Sequence, residues 1–303
     1  MAVMNTGSIA KALWPGVKEW FGLSYDEHSL EFKEIFKSEK SIRNFEEDVN
    51  VYGLGLAPVK NESSSISYAE MGQGFVKRYV HVTYGLGFIL SREALEDNMY
   101  AELAKQKTEQ LGFSMRQTKE NVAANVLNRA FNSSYTGADG LELCSAVHLN
   151  SKGGTFSNEL ATAADLSEVS LEQMFIDIMG ATDDAGMKIS LMPEKLVIPR
   201  ELCFEAERIL KSSLQYDSAN NAVNAIKSKG VLPGGYCVNH YLTDADAFFV
   251  KTNCPSGLKH YQRRDVGIDN DTDFDSENVK FKATERYDFS WTDPRGIYGS
   301  PGA

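Results

Sequence analysis

The stretch from Phe75 to Phe131 joins two patterns that seldom meet in a small domain. Phe75 to Leu90 (FVKRYVHVTYGLGFIL) is extended and glycine-spaced, and it feeds directly into a helical pattern from Ser91 to about Phe131. A helix of about 40 residues would span about 60 Å at ~1.5 Å rise per residue. One compact core does not cover such a rod. The pattern therefore predicts a building block that packs against something beyond itself.

The extended part reads as a hairpin over 51–90. VYGLGLAPVK is a glycine-punctuated strand, NESSS a polar turn, and ISYAEMGQGF leads into the returning strand. In KRYVHVTYGLGF, Tyr79, His81, Thr83 and Gly85 share one face while Val80, Val82, Tyr84 and Leu86 share the other, the period of two of a half-buried strand. A bare two-stranded hairpin is marginal in water, so it is expected to lie on a partner. Ser91 is the expected N-cap of the helix, with Glu93, Glu96 and Asp97 complementing its dipole. Leu95, Met99, Leu103, Leu111, Met115, Val122, Val126 and Ala130 form a narrow apolar stripe between the polar flanks KQKTEQ and RQTKEN. Gly112 marks a bend or a close approach, and NSSYTGADG ends the helix.

Residues 1–50 read as an arm. A short amphipathic piece, Ala10 to Phe21, is broken by Pro15 and Gly16, and charged residues from Asp26 to Asp48 then alternate with Leu30, Phe32, Ile35, Phe36, Ile42 and Phe45. These apolar side chains need cover, either from a neighbouring subunit or from their own chain. Further on, Ser170 to Ala185 reads as a helix, Leu196 to Pro199 as a strand and Arg200 to Leu210 as a helix. VLPGGYCVNHYL and DAFFVKT read as strands, and VKFKATERYDFSW as a closing strand. No repeat period emerges, and the fold class is α+β.

Composition narrows the functions. With 31 Lys and Arg against 42 Asp and Glu, the net charge is −11, which disfavours tight wrapping of nucleic acid by phosphate neutralisation. The four cysteines, Cys144, Cys203, Cys237 and Cys254, are too few and too scattered for a disulfide framework, and read as reduced thiols. No apolar run is long enough to span a membrane, and MAVMNTGSIAKALWPG is no signal peptide.

Catalytic and binding motifs are wanting. The triplets Gly53–Gly55 and Gly85–Gly87 lack the third glycine of a dinucleotide loop, with Pro58 and Leu90 in its place. A calcium loop begun at Asp269 would need Gly and Glu where Phe274 and Lys280 stand, so Asp269, Asp271, Asp273, Asp275 and Glu277 read as a solvated loop. Cys237 with His240, and Cys144 with His148, each lack a second pair for zinc. No catalytic residue, metal ligand or cofactor site is assigned.

The order of parts resembles the major capsid protein of tailed bacteriophages, the Hong Kong 97-like fold. YVHVTYGLGFILSREALEDNMY, GADGLELCSAVH, MPEKLVIPRELCFEAERIL, VLPGGYCVNHYLTDADAFFVKTN and ERYDFSWTDPRGIYGS resemble the Mu-like major head subunit branch. The resemblance implies an N-terminal arm over 1–50, an extended loop over 51–90 lying across an adjacent subunit, and a peripheral domain over 91–190 with its spine helix at 91–131. An axial domain over 191–256 and a return to the peripheral domain over 257–303 complete it. It implies pentamers and hexamers in an icosahedral shell around double-stranded DNA, bound without sequence specificity. A separate scaffold protein and a portal protein are the implied partners; no membrane is involved, and the subunit belongs in the virion after assembly in the host cytoplasm. No propeptide cleavage is expected, and Lys60 and Lys77 have no identifiable crosslinking partner. Expected interface residues are Glu62, Ser63, Ser64 and Ser65 at the loop tip and Phe32, Phe36 and Phe45 in the arm; the 211–230 loop is a candidate axial contact. The alternatives are an encapsulin-like shell around protein cargo and a soluble α+β enzyme with a site near Cys237 and His240.

Overall fold

A computed structural model describes residues 6–27, 29–93, 100–215 and 222–303. Its spine is helix α3, Tyr100–Asn128, about 44 Å long at ~1.5 Å per residue. Arg92 and Glu93 are already helical, while the expected turns through Leu95, Glu96, Asp97 and Met99 lie outside the described residues. The buried face of α3 repeats at threes and fours through Ala104, Thr108, Leu111, Met115, Ala123, Leu127 and Ala130. Leu103, from the expected stripe, is exposed, and Arg116, Lys119 and Glu120 turn inward.

That face packs on a four-stranded sheet ordered β1-β10-β11-β4, formed by Lys37–Lys40, Leu258–Thr272, Val279–Trp291 and Val82–Leu90. Along β11, Val279, Phe281, Ala283, Glu285, Tyr287 and Phe289 face inward while Lys280 and Lys282 face solvent. This is the alternation of a sheet covered on one side. β10 is a strand that the sequence concealed: Asp269 and Asp271 sit within it, paired with Lys282 and Lys280, so only the end of the acidic run is a loop.

A second sheet, β12-β9-β7-β8 (Ile297–Ser300, Phe248–Thr252, Pro193–Ile198 and Tyr236–Val238), packs under helix α4, Glu168–Met179, and helix α5, Cys203–Lys211. α4 is capped by a Ser167–Ser170 box and stops at Gly180, short of the expected Ala185.

The amino-terminal segment is held by its own chain. Helix α1, Thr6–Asp26, runs through Pro15 and Gly16 without the expected break. An interior proline costs about 3 kcal/mol in isolation, and here Val17 and Phe21, buried against α3 and the first sheet, offset it. Phe32, Ile35 and Phe36 enter the main core beside Phe289 and Trp291. Phe32 and Phe36 are therefore core residues, and their expected place at a subunit interface is corrected: apolar side chains this buried have no surface to offer. Buried polar groups fix the segment. The amide of Phe32 donates to Glu120 (3.1 Å), Tyr25 donates to Glu285 (3.1 Å), and Lys119 reaches both Glu285 and Gln262.

Candidate assembly surface

The expected hairpin exists with different boundaries. β2, Phe45–Tyr52, pairs antiparallel with β3, Gly72–Val80, and residues 53–71 between them are neither helix nor strand. Glycines and Pro58 disfavour continued pairing there. The single strand read through KRYVHVTYGLGF is two. Tyr79 and His81 point inward and Val80 and Val82 outward, as the alternation predicts, but beyond His81 the chain joins the first sheet as β4, where Tyr84, Phe88 and Leu90 turn to the core.

The ribbon has a fixed side and an open side. On the fixed side, Asp48 pairs with Lys259 and accepts from Thr292 (2.8 Å) and Tyr261, while the Tyr79 hydroxyl shares a hydrogen bond with Thr292 (2.7 Å). Burial alone would raise the Asp48 pKa; the Lys259 ammonium and these hydroxyls outweigh it and hold it below its usual value. At the far end, Asn50 donates to Asp184 (3.4 Å), whose carboxylate is bound by the buried Arg295 (2.9 Å). Arg295 also reaches Asn150 and the Thr182 carbonyl, tying the loop-bearing end of the ribbon to the second sheet. Asp48, Lys259, Asp184 and Arg295 are each paired, as charges in low-dielectric surroundings must be.

On the open side the apolar residues of both strands line up. Phe45 faces Val80 and Val49 faces Val76, with Val51 beyond, and all five are exposed. Arg78 lies over the Phe45 ring at 4.3 Å and pairs with Glu47 across the strands. Beyond the ribbon, residues 54–71 are exposed throughout. Leu56, Val59 (92%), Ile66 and Tyr68 (91%) have no cover in their own chain. The Ser64 amide and hydroxyl both bond the Asn61 carbonyl, and Ser63 is left-handed at φ 64°, so Glu62, Ser63, Ser64 and Ser65 sit at a turn in this loop, as expected. Phe45 lies at the ribbon's other end. The structure thus separates the seven expected interface residues into an exposed tip of four, one exposed strand residue and two core residues. Val49, Val51, Val76 and Val80 join Phe45 on this exposed face; the alternation DVNVY carries the first two and the i, i+4 spacing in VKRYV the others.

The phage capsid protein family matches residues 75–300, from the returning strand to the last strand. The chain belongs to that family. No curated protein sequence matches it. Among solved structures, this capsid-family chain is similar to the capsid of a native GTA particle, with TM-score 0.57 at 12% identity over 90% of each chain. It is also similar to a virus-like particle from Pyrococcus furiosus, with TM-score 0.54 at 12% identity over 94% of this chain and 97% of that one. A chain from Mycobacterium phage Patience gives TM-score 0.54 at 12% identity, over 95% of this chain and 87% of that one. At such identities the likeness is one of fold, and the fold is Hong Kong 97-like. Among the described residues no three metal-ligating side chains come together, and no helix is long and apolar enough to cross a membrane.

Cys237 and His240 belong to separate contacts. Burial pushes the Cys237 thiol up to about 11, and His240 is engaged by Glu31 on its ring and its backbone amide. In contrast to an activated nucleophile, that thiol is held neutral at physiological pH.

Proposed function

We propose that this chain is the major capsid subunit of a tailed phage of the Mu-like branch. It assembles as pentamers and hexamers into an icosahedral shell around double-stranded DNA. In this reading residues 1–50 are the arm, 51–90 the extended loop, 91–190 and 257–303 the peripheral domain, and 191–256 the axial domain. A separate scaffold and a portal protein are its partners, assembly takes place in the host cytoplasm, and the role is structural rather than catalytic.

The observation that carries the reading is the loop 54–71, whose large apolar side chains are all in water although it is carried on a ribbon fixed by buried ion pairs. Monomers rarely leave such a surface uncovered. A neighbouring copy would cover it, and contacts of this head-to-tail kind close into rings. Glu62 to Ser65 at the tip and Phe45 at the ribbon end are the contacts first expected. Likeness to a virus-like particle keeps an encapsulin-like shell as the second reading, since shells sharing a fold differ in what they enclose; membership of the phage capsid family favours the first.

Electron microscopy of the purified chain, produced with and without a scaffold protein, tests both. Closed shells, tubes or rings of five and six are expected, and nucleic acid rather than protein inside full particles separates the first reading from the second. A monodisperse monomer under both conditions would refute assembly.

A further inference from the structure

The longest strands of the molecule, β10 and β11, end in a tight turn whose geometry is over-determined. The Asp273 amide donates to the Asn278 carbonyl (2.9 Å), and the Asp273 carboxylate accepts from Ser276 and Lys280 (2.9 Å each). Glu277, left-handed at φ 53°, pairs with Arg92. This turn presents Phe274, which is 95% exposed, between Asp271 and Asp275. An aromatic ring in water on a braced support loses hydrophobic free energy that a partner would recover.

At the opposite end of the same strands lies a cleft of ≈ 480 Å³ between the ribbon, α3 and β11. Its apolar walls are Val122, Val126, Tyr135 and Trp291, and its cations are Arg129 and Lys77. The Arg129 guanidinium lies 4.3 Å from the Tyr135 ring, and the Lys77 ammonium 5.0 Å from Trp291. Asp288 is the one acid among the lining residues; burial raises its pKa to about 6 and draws that of Lys77 down.

From Val279, beside the turn, to Asp288, beside the cleft, strand β11 advances nine residues, or about 30 Å at ~3.3 Å each. The turn therefore cannot enter the cleft of its own chain. We propose that Phe274 of one copy seats in the cleft between Val122, Arg129 and Trp291 of a second copy, with Asp275 against Arg129. The inference rests on the assembly reading and names one of its contacts. A protruding apolar group and a complementary pocket elsewhere on the same molecule make a heterologous contact, the type that builds rings and shells. An aromatic side chain entering a pocket beside an arginine is the usual make-up of an interface hot spot, and opposite charge at the rim sets its register.

Two single-cysteine additions test it, Phe274→Cys and Ser134→Cys, the latter at the cleft. Particles co-assembled from a small fraction of Phe274→Cys chains in an excess of Ser134→Cys chains, which keep Phe274, and mildly oxidised should yield a disulfide-linked dimer, absent from either variant alone and from the parent chain. Phe274→Ala should fold with an unchanged melting profile and lose assembly at least tenfold. Asp275→Arg and Arg129→Asp should each impair assembly and restore it together. Co-assembled particles of the two variants that give no such dimer, a dimer from Phe274→Cys alone, or normal assembly of Phe274→Ala would overturn the inference and leave the assembly reading standing. A wild type that never assembles removes both.

Discussion

Glu120 sits on the inner face of α3 with one oxygen accepting from the Phe32 amide and the other 3.5 Å from Arg116. Burial raises its pKa to about 7, against the opposing pull of Arg116 and with Glu31 adding to the rise. Below about 4.5, folded and unfolded chains both hold this proton; between about 4.5 and about 7 only the folded chain does. The group's contribution to stability therefore falls as pH rises through that window. Glu120→Gln should flatten the dependence and gain on the order of 1–2 kcal/mol at pH 8 after discounting for screening. Urea midpoints from pH 5 to pH 8 measure it, and parallel profiles for the two proteins would refute it. Asp48 behaves oppositely. Its lowered pKa stabilises the fold above the ordinary carboxylate range and the benefit disappears as pH falls. Asp48→Ala strands Lys259 and should cost about 3 kcal/mol, with hydrogen exchange rising first across β2. None of this was legible in the sequence. RQTKEN reads as a solvated flank because partners such as Glu285 and Gln262 lie more than 140 residues away.

Among the elements, hydrophobic period located β7, β11 and the core of α3, and NESSS located the loop's turn, whereas VYGLGLAPVK, read as a strand, is one only through Tyr52. Where the sequence misled, tertiary packing was the competing influence. Pro15 reads as a helix break, yet α1 continues because its buried face lies on α3. β10 carries Asp269, Asp271 and Gly267, residues poor in strands, and depends on β11 alongside for its pairing. Gly112 was legible as a close approach: a Cβ there would lie 2.9 Å from the Phe21 carbonyl oxygen, and Ser24 bonds the Glu109 carbonyl one turn away. Gly112→Ala should force α1 off α3 at a cost of about 1–3 kcal/mol. A melting temperature equal to the wild type's would show that the helices separate freely.

On the scale of the whole molecule, the stabilising core and the proposed association surface are different parts. The two sheets and α3 hold the core, whereas residues 54–71 contribute exposed side chains alone. Replacing 53–71 by a two-residue Asn-Gly turn should leave the circular dichroism spectrum and melting temperature nearly unchanged while abolishing particles in electron micrographs. Normal particles from that variant would move the association surface elsewhere.

The first sheet also sets an order of events during synthesis. β1 and β4 lie in the first third of the chain, and their partners β10 and β11 begin at Leu258 and Val279. At about 5–20 residues per second, a ribosome that has made Leu90 needs roughly 10–40 s more to reach Val279. β1 has no strand to receive it until Leu258 and β4 none until Val279, and the ribbon lacks Lys259 and Thr292 until the last fifth of the chain is made. A nascent chain thus carries the exposed loop 54–71 on a support that is finished only when its last strands arrive.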